Sequence, residues 1–286
     1  MKKFSGLINK LLLTPSVNLF PIPFGLVIGN ECENSGIRSD LSIILVNDYL
    51  AAKEFVAFNK TNANTFIGIA NPMINDNTPL NIDIGEWRSS GYLSKNNTLD
   101  LNELPPLPDA EVEVLKLSKI YNDYKIYLGD SASITKALSK AEVNSYNDKK
   151  QLLTIATHGF AADVGNDLAV PTLLNNNNGN LELFSFLDVY DYNLKGSTVV
   201  LSACDTASGF VSSSDKIFTG FVKSFGDVGA KFVVSSLWPV NSKSSKDLSL
   251  EFGTKIKSET YFDAIKLSQK KVTNNVHRLP FTFTYL

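Results

Sequence analysis

Short unbroken apolar runs alternate along this chain with stretches whose apolar residues recur every three or four positions. Runs of four to eight residues mark strands buried on both faces, and the longer spacing marks helices with one buried stripe. The runs are residues 65–70, 125–128, 152–157, 198–202, 232–235 and 281–285, preceded by strand-like 11–14 and 41–46. Helical spacing covers 49–58, 111–121, 131–140, 216–225 and 261–272. The helix at 111 follows Asp109, a good N-cap, and places Val112, Leu115 and Ile120 near one face. In the helix at 216, Ile217, Phe218, Phe221, Val222 and Phe225 make a broad apolar face that reads as core. The alternation predicts an α/β fold, a mainly parallel sheet flanked by helices.

Two tracts interrupt the rhythm. Residues 71–108 are rich in Asn, Pro and Gly and read as a long surface connection or a specificity insert, and 175–180 read as a second loop. Residues 11–60 are expected to form a supporting lobe and 61–286 the lobe with the chemistry, with 1–10 a leader or the remnant of an upstream segment. Met1-Lys2-Lys3 followed by Leu11-Leu12-Leu13 has the outline of a secretory signal, but Pro15, Pro21 and Pro23 break it and no small-residue cleavage site follows. No repeat of 20–50 residues is present.

Composition narrows the class. Of 286 residues, 43% are hydrophobic and 20% charged, the balance of a globular protein with one large core or two smaller ones. A net charge of −2 and a pI near 5.8 provide no cationic field for a phosphate backbone, so a nucleic-acid partner is not expected. No apolar stretch approaches the roughly 18 residues of a membrane-spanning helix. Two cysteines, Cys204 in an apolar run and Cys32 in the polar stretch 30–33, make no disulfide framework and suit a reducing cytoplasm. No G-x-G-x-x-G, no P-loop and no C-x-x-C occurs, which leaves a flavodoxin-like nucleotide or redox protein thinly supported; no metal or cofactor is expected.

The chemistry is concentrated at two strand ends. The run 152–157 closes on His158-Gly159, and the run 198–202 closes on Ala203-Cys204-Asp205. Taken singly, such a histidine is more often structural, and such a cysteine is usually an inert core thiol. Taken together they gain meaning, because adjacent parallel strands bring their carboxyl ends to one rim, where ligands collect in open sheets. A thiol is mostly protonated at pH 7 and needs a neighbouring imidazole to become a nucleophile. His158 precedes Cys204 by 46 residues, close to the roughly 50-residue spacing and the order found in caspases. His277, in the polar run 274–278, reads as a surface residue.

With those residues in view, the chain resembles the CHAT family, caspase-like peptidase domains found with helical TPR repeats and related to separases and caspases. The resemblance rests on Ala156-Thr157-His158-Gly159, Leu201-Ser202-Ala203-Cys204-Asp205-Thr206-Ala207 and Ser236-Leu237-Trp238-Pro239-Val240, and on weaker blocks around Gly68, Pro106 and Gly129. It implies a caspase-like three-layer α/β/α fold and a cysteine endopeptidase with a Cys204–His158 dyad. It also implies backbone N–H groups of Gly159 and Cys204 as oxyanion donors, and Ser236 and Trp238 beside the substrate. Asp205 or Asp163 would supply an acidic pocket for a basic substrate residue, although Asp163 suits a turn equally well. Asn241 stands where the family often has an acidic residue. The expected partners are a protein or peptide substrate and a separate regulator, possibly with TPR repeats. The rival reading is a catalytically silent CHAT module acting as a scaffold in a regulatory or defence complex.

Overall fold

A computed structural model describes residues 10–14, 42–46, 49–57, 62–73, 81–83, 98–100, 104–163, 169–177, 180–204, 206, 209–211, 218–237, 240–272 and 281–286. Cys32 and His277 lie outside them.

The apolar runs form one eight-stranded sheet. Its strands are β1 (Lys10–Leu13), β2 (Ser42–Val46), β3 (Thr65–Pro72), β6 (Asp123–Gly129), β7 (Gln151–Ala156), β11 (Thr198–Leu201), β14 (Phe232–Ser236) and β15 (Phe281–Tyr285), in the order β1-β2-β15-β14-β11-β7-β3-β6. Five of them, β6, β3, β7, β11 and β14, run parallel. The other three are parallel among themselves and join through the antiparallel pair β14–β15. Residues 11–60 thus supply two strands to the edge of this same sheet. Numbered along the chain, the five-stranded part has the order 2-1-3-4-5, so its connections diverge between β3 and β7. Ligands of doubly wound sheets bind at such a switch point, outside the carboxyl ends of the strands.

Both faces of the sheet are covered, which is why the central strands are apolar throughout instead of alternating. On one face α1 (Tyr49–Ala57), α2 (Pro108–Ser118), α5 (Ser242–Lys255) and α6 (Tyr261–Lys271) pack on Phe66, Leu152, Val200, Phe232 and Phe283. On the other, α3 (Ile134–Tyr146), α4 (Phe221–Asp227) and the 3-10 turn Phe186–Asp191 pack on Ile67, Leu153, Ile155, Val199 and Val233. The three layers are those expected from the sequence.

Several local expectations change. The helix after residue 107 starts at Pro108, whose missing N–H costs nothing in a first turn, so Asp109 is not its cap. Its buried stripe is Ala110, Glu113, Val114, Leu117 and Ser118, whereas Val112 is exposed. Residues 218–220 form a short strand, β13 (Phe218–Gly220), paired with β12 (Gly209–Val211), and the helix begins only at Phe221. Helix α5, with Asn241 accepting a hydrogen bond from Ser244 N as its cap, has no counterpart in the apolar pattern, because serines and lysines dominate it. Residues 71–108 contain a small hairpin, β4 (Asn81–Asp83) with β5 (Thr98–Asp100).

The stretch 175–180 is largely strand. Between β7 and β11 the crossover is a three-stranded antiparallel sheet of β8 (Gly159–Asp163), β9 (Ala169–Asn177) and β10 (Asn180–Ser185). Asn175 and Asn176 are fully buried there. Asn175 Oδ1 accepts from Ile134 N at 2.7 Å, at the start of α3, and Asn176 Nδ2 donates to Met73 O at 3.1 Å. Amides that satisfy helix-end and loop groups are read from sequence as loop residues although they bind internal structure.

Phe232 lies at the centre of the first face, stacked on Tyr261 at 4.1 Å between centroids and on Phe252 at 5.9 Å. Phe232→Ala is expected to cost about 3–5 kcal/mol, read as a shift of the urea midpoint with unchanged slope.

Candidate active site

The register of β7 and β11 brings the two strand ends together. Thr198 faces Leu152 and Leu201 faces Ile155, an offset of 46 residues (198 − 152 and 201 − 155). The ladder continues one step through Ser202 N, which donates to Ile155 O at 2.9 Å. Carried to the strand tips, the same offset sets Cys204 opposite His158 (204 − 158). The spacing seen in the sequence is therefore a pairing register.

Gly159 shows how closely the tips approach. A Cβ built there would lie 2.2 Å from Cys204 O and 3.1 Å from Cys204 N, both main-chain atoms. Only glycine leaves room for that approach. His158 and Cys204 are both part-exposed and line one cleft, of about 390 Å³ with the solvent at its mouth, together with Leu107, Ala110, Ala203 and Val240.

Each tip is anchored from below. His158 O accepts from Leu174 N at 2.9 Å, and Thr157 Oγ1 donates to Leu174 O at 2.8 Å, fixing the histidine main chain to β9. Under Cys204, Ser236 Oγ donates to Ala203 O at 2.7 Å, and Ser236 N donates to Thr206 Oγ1 at 3.0 Å. Ser236, expected at the substrate edge, is fully buried and buttresses the nucleophile's turn instead. Asp163 ends β8, four residues past Gly159 (163 − 159). Asp205 and Trp238 lie outside the described residues.

The imidazole has a defined orientation. His158 Nε2 is 2.9 Å from Pro105 O. A carbonyl only accepts, so Nε2 carries the hydrogen, and Nδ1 is the basic nitrogen of the neutral ring. Burial holds the imidazole below its ordinary pKa, and the Pro105 carbonyl partly opposes this. The carbonyl is positioned by Asn71, at the end of β3. Asn71 Oδ1 accepts from Leu107 N at 2.7 Å, and its Nδ2 donates to Glu111 Oε2 at 3.2 Å. Pro105 and Asn71 escape a reading by residue type, since one acts through its main chain and the other through a loop.

Glu113 is an acidic residue on the buried stripe of Ala110, Val114 and Leu117, and helical spacing of those apolar positions is the signal that points to it. It is 1% exposed, and burial pushes its carboxyl up to about 8, with Ser249, Ser202 and Lys246 opposing and Asp109 reinforcing the shift. Among the described residues no group of three or more His, Cys, Asp or Glu could hold a metal ion. No helix of the described residues is long and apolar enough to cross a membrane.

The layers, the 2-1-3-4-5 sheet and the paired strand tips define a caspase-like α/β protein. The CHAT domain model matches residues 3–278, and the chain belongs to that family. Among solved structures it is similar to the Arg-specific cysteine proteinase gingipain R, with TM-score 0.52, 10% identity, and 91% of this chain and 66% of that one covered. It is similar to the complex of Porphyromonas gingivalis RgpB pro- and mature domains, with TM-score 0.54, 10% identity, and 99% and 66% covered. The Saccharomyces cerevisiae separase–securin complex gives TM-score 0.58 and 16% identity, covering 96% of this chain and 15% of that one. The chain thus spans 66% of the gingipain chains it matches. At these identities the likeness is one of fold. Comparison with curated proteins gives no match.

Two outcomes are expected. Gly159→Ala should slow labelling of Cys204 by a thiol-reactive peptide probe about 100-fold, because the added methyl must push the tips apart; unaltered labelling in the folded variant would show that the tips are not in contact. Glu113 binds its proton more tightly folded than unfolded, so between about pH 4.5 and 8 the unfolded chain holds fewer protons and stability falls as pH rises. The loss is on the order of 5 kcal/mol across that window, and Glu113→Gln should flatten it in denaturant titrations at pH 5 and 8.

Proposed function

We propose that this chain is a cysteine endopeptidase that hydrolyses peptide bonds in a protein substrate through Cys204 and His158. The observation that carries the proposal is the shared cleft at adjacent strand tips, with Gly159 against the Cys204 main chain. Nδ1 of the neutral imidazole takes the thiol proton, and the thiolate attacks the scissile carbonyl carbon. The oxyanion is met by the N–H groups of Gly159 and Cys204. Collapse to the thioester expels the amine, which takes its proton from the imidazolium. Water then gives a proton to the imidazole as it attacks the thioester, and the carboxylic acid leaves as the thiol is restored. The Pro105 carbonyl favours the imidazolium in this cycle, because it accepts from Nε2–H throughout.

Substrate contacts fall to the segment after β14, including Trp238, and to Asp205 beside the nucleophile. Activity is placed in the cytoplasm under control of a separate regulator, for which a TPR-bearing partner is the candidate. Cys204→Ala and His158→Ala should each lower kcat/KM roughly 10³-fold or more. A proteome-wide search for new N-termini, wild type against Cys204→Ala, reads both activity and cleavage site. Identical N-termini in both samples, with no Cys204-dependent labelling, would make the chain a silent scaffold.

A further inference from the structure

The cleft contains one ionisable side chain that the reaction does not use. Glu113 lines it from the buried stripe of α2. Its Oε2 accepts from Ser202 Oγ at 2.9 Å, and Ser202 Oγ shares a hydrogen bond with Ser245 Oγ at 2.7 Å. Its Oε1 is buried without a hydrogen-bond partner among the described residues, and so is Ser249 Oγ on α5. A carboxylate in that position would lack most of its solvation, whereas an uncharged acid is tolerable.

Two described charges act on it from nearby. Lys246 on α5 and Asp109 on α2 form an ion pair, so their effects on Glu113 largely oppose one another. His158 and Cys204 line the same cleft. Of the described residues lining the cleft, these two and Glu113 are the ionisable ones, and the rest of the wall is Leu107, Ala110, Ala203, Val240 and hydroxyls.

We propose that this cleft is the primary side-chain subsite and admits an uncharged substrate side chain with an apolar stem, with Glu113 as its specificity-determining floor. The proposal rests on the peptidase reading above. A methionine or glutamine stem packs on the apolar wall, above the uncharged acid. An aspartate would be desolvated with no available cation, because Asp109 already engages Lys246. An arginine would first have to draw the proton from Glu113, which at pH 7 costs about tenfold for a carboxyl that titrates near 8. The basic preference expected from Asp163 and Asp205 is replaced by a neutral one.

The test uses the full chain, wild type and Glu113→Gln, with peptides identical except for Met, Gln, Arg or Asp before the cut. The same four sequences are also made as thiol-reactive probes. At pH 7, Met and Gln should exceed Arg and Asp about tenfold or more in kcat/KM or labelling rate. The Met/Arg ratio should fall several-fold by pH 9 in the wild type, as the carboxylate forms, and stay level in Glu113→Gln. Titration of Cys204 and His158 cancels in that ratio, and arginine keeps its charge throughout. Preference for Arg or Asp at pH 7, or the same course of the ratio in both proteins, overturns the subsite and leaves the peptidase reading intact. If Glu113→Gln does not fold, the wild-type order at pH 7 and its change by pH 9 decide. No turnover and no Cys204-dependent labelling by any probe overturns both.

Discussion

The site depends on one steric constraint, the contact of two main chains at Gly159 and Cys204. A β-ladder fixes which residues of neighbouring strands face each other, but it does not by itself let their tips close on one another beyond the last hydrogen bond. Here the absence of a side chain at 159 removes a Cβ that would lie 2.2 Å from Cys204 O and hold the tips apart. The cysteine turn is then free to fold over β7, tied below by Ser236 and Thr206. Imidazole and thiol share one cleft above this main-chain contact.

Around this contact the molecule uses polar groups of a particular kind. Thr157, Ser202, Ser236, Ser245, Asn71 and Asn175 are small hydroxyls or amides whose hydrogen bonds are short in reach. Such groups pin turns to strands while carrying no charge of their own, and hydrogen-bonded networks of this kind rigidify their surroundings. Glu113, the acidic partner among them that is buried, is tolerated because burial favours its protonated form. Rigidity at the strand tips and neutrality behind them come from the same choice of residues.

How far the sequence discloses this can be traced residue by residue. The central strands were legible because burial on both faces writes an uninterrupted apolar run. The pair His158 and Cys204 was legible because each closes such a run. Helix α5 was not, since its contacts with α2 and α6 require only Leu248, Phe252 and small residues, and its other positions follow solvent. Asn175 and Asn176 misled because asparagine in a polar tract has the signature of a loop, whereas here both amides replace main-chain partners. Pro105 contributes only a carbonyl, which every residue possesses, so no residue type could have announced it.

The antiparallel seam between β14 and β15 also has a temporal meaning. β15 follows the other seven strands of this sheet in sequence, yet it lies in the interior of the sheet, between β14 and β2. During vectorial synthesis β1 and β2 can pair with each other, but β15, the strand that joins them to the rest of the sheet, follows β2 only after 234 intervening residues (281 − 46 − 1). The five parallel strands carrying the cleft can assemble in the meantime. Assembly of that half is thus separable from docking of the β1–β2 pair, whose edge at β2 stays open until β15 arrives and is liable to pair elsewhere.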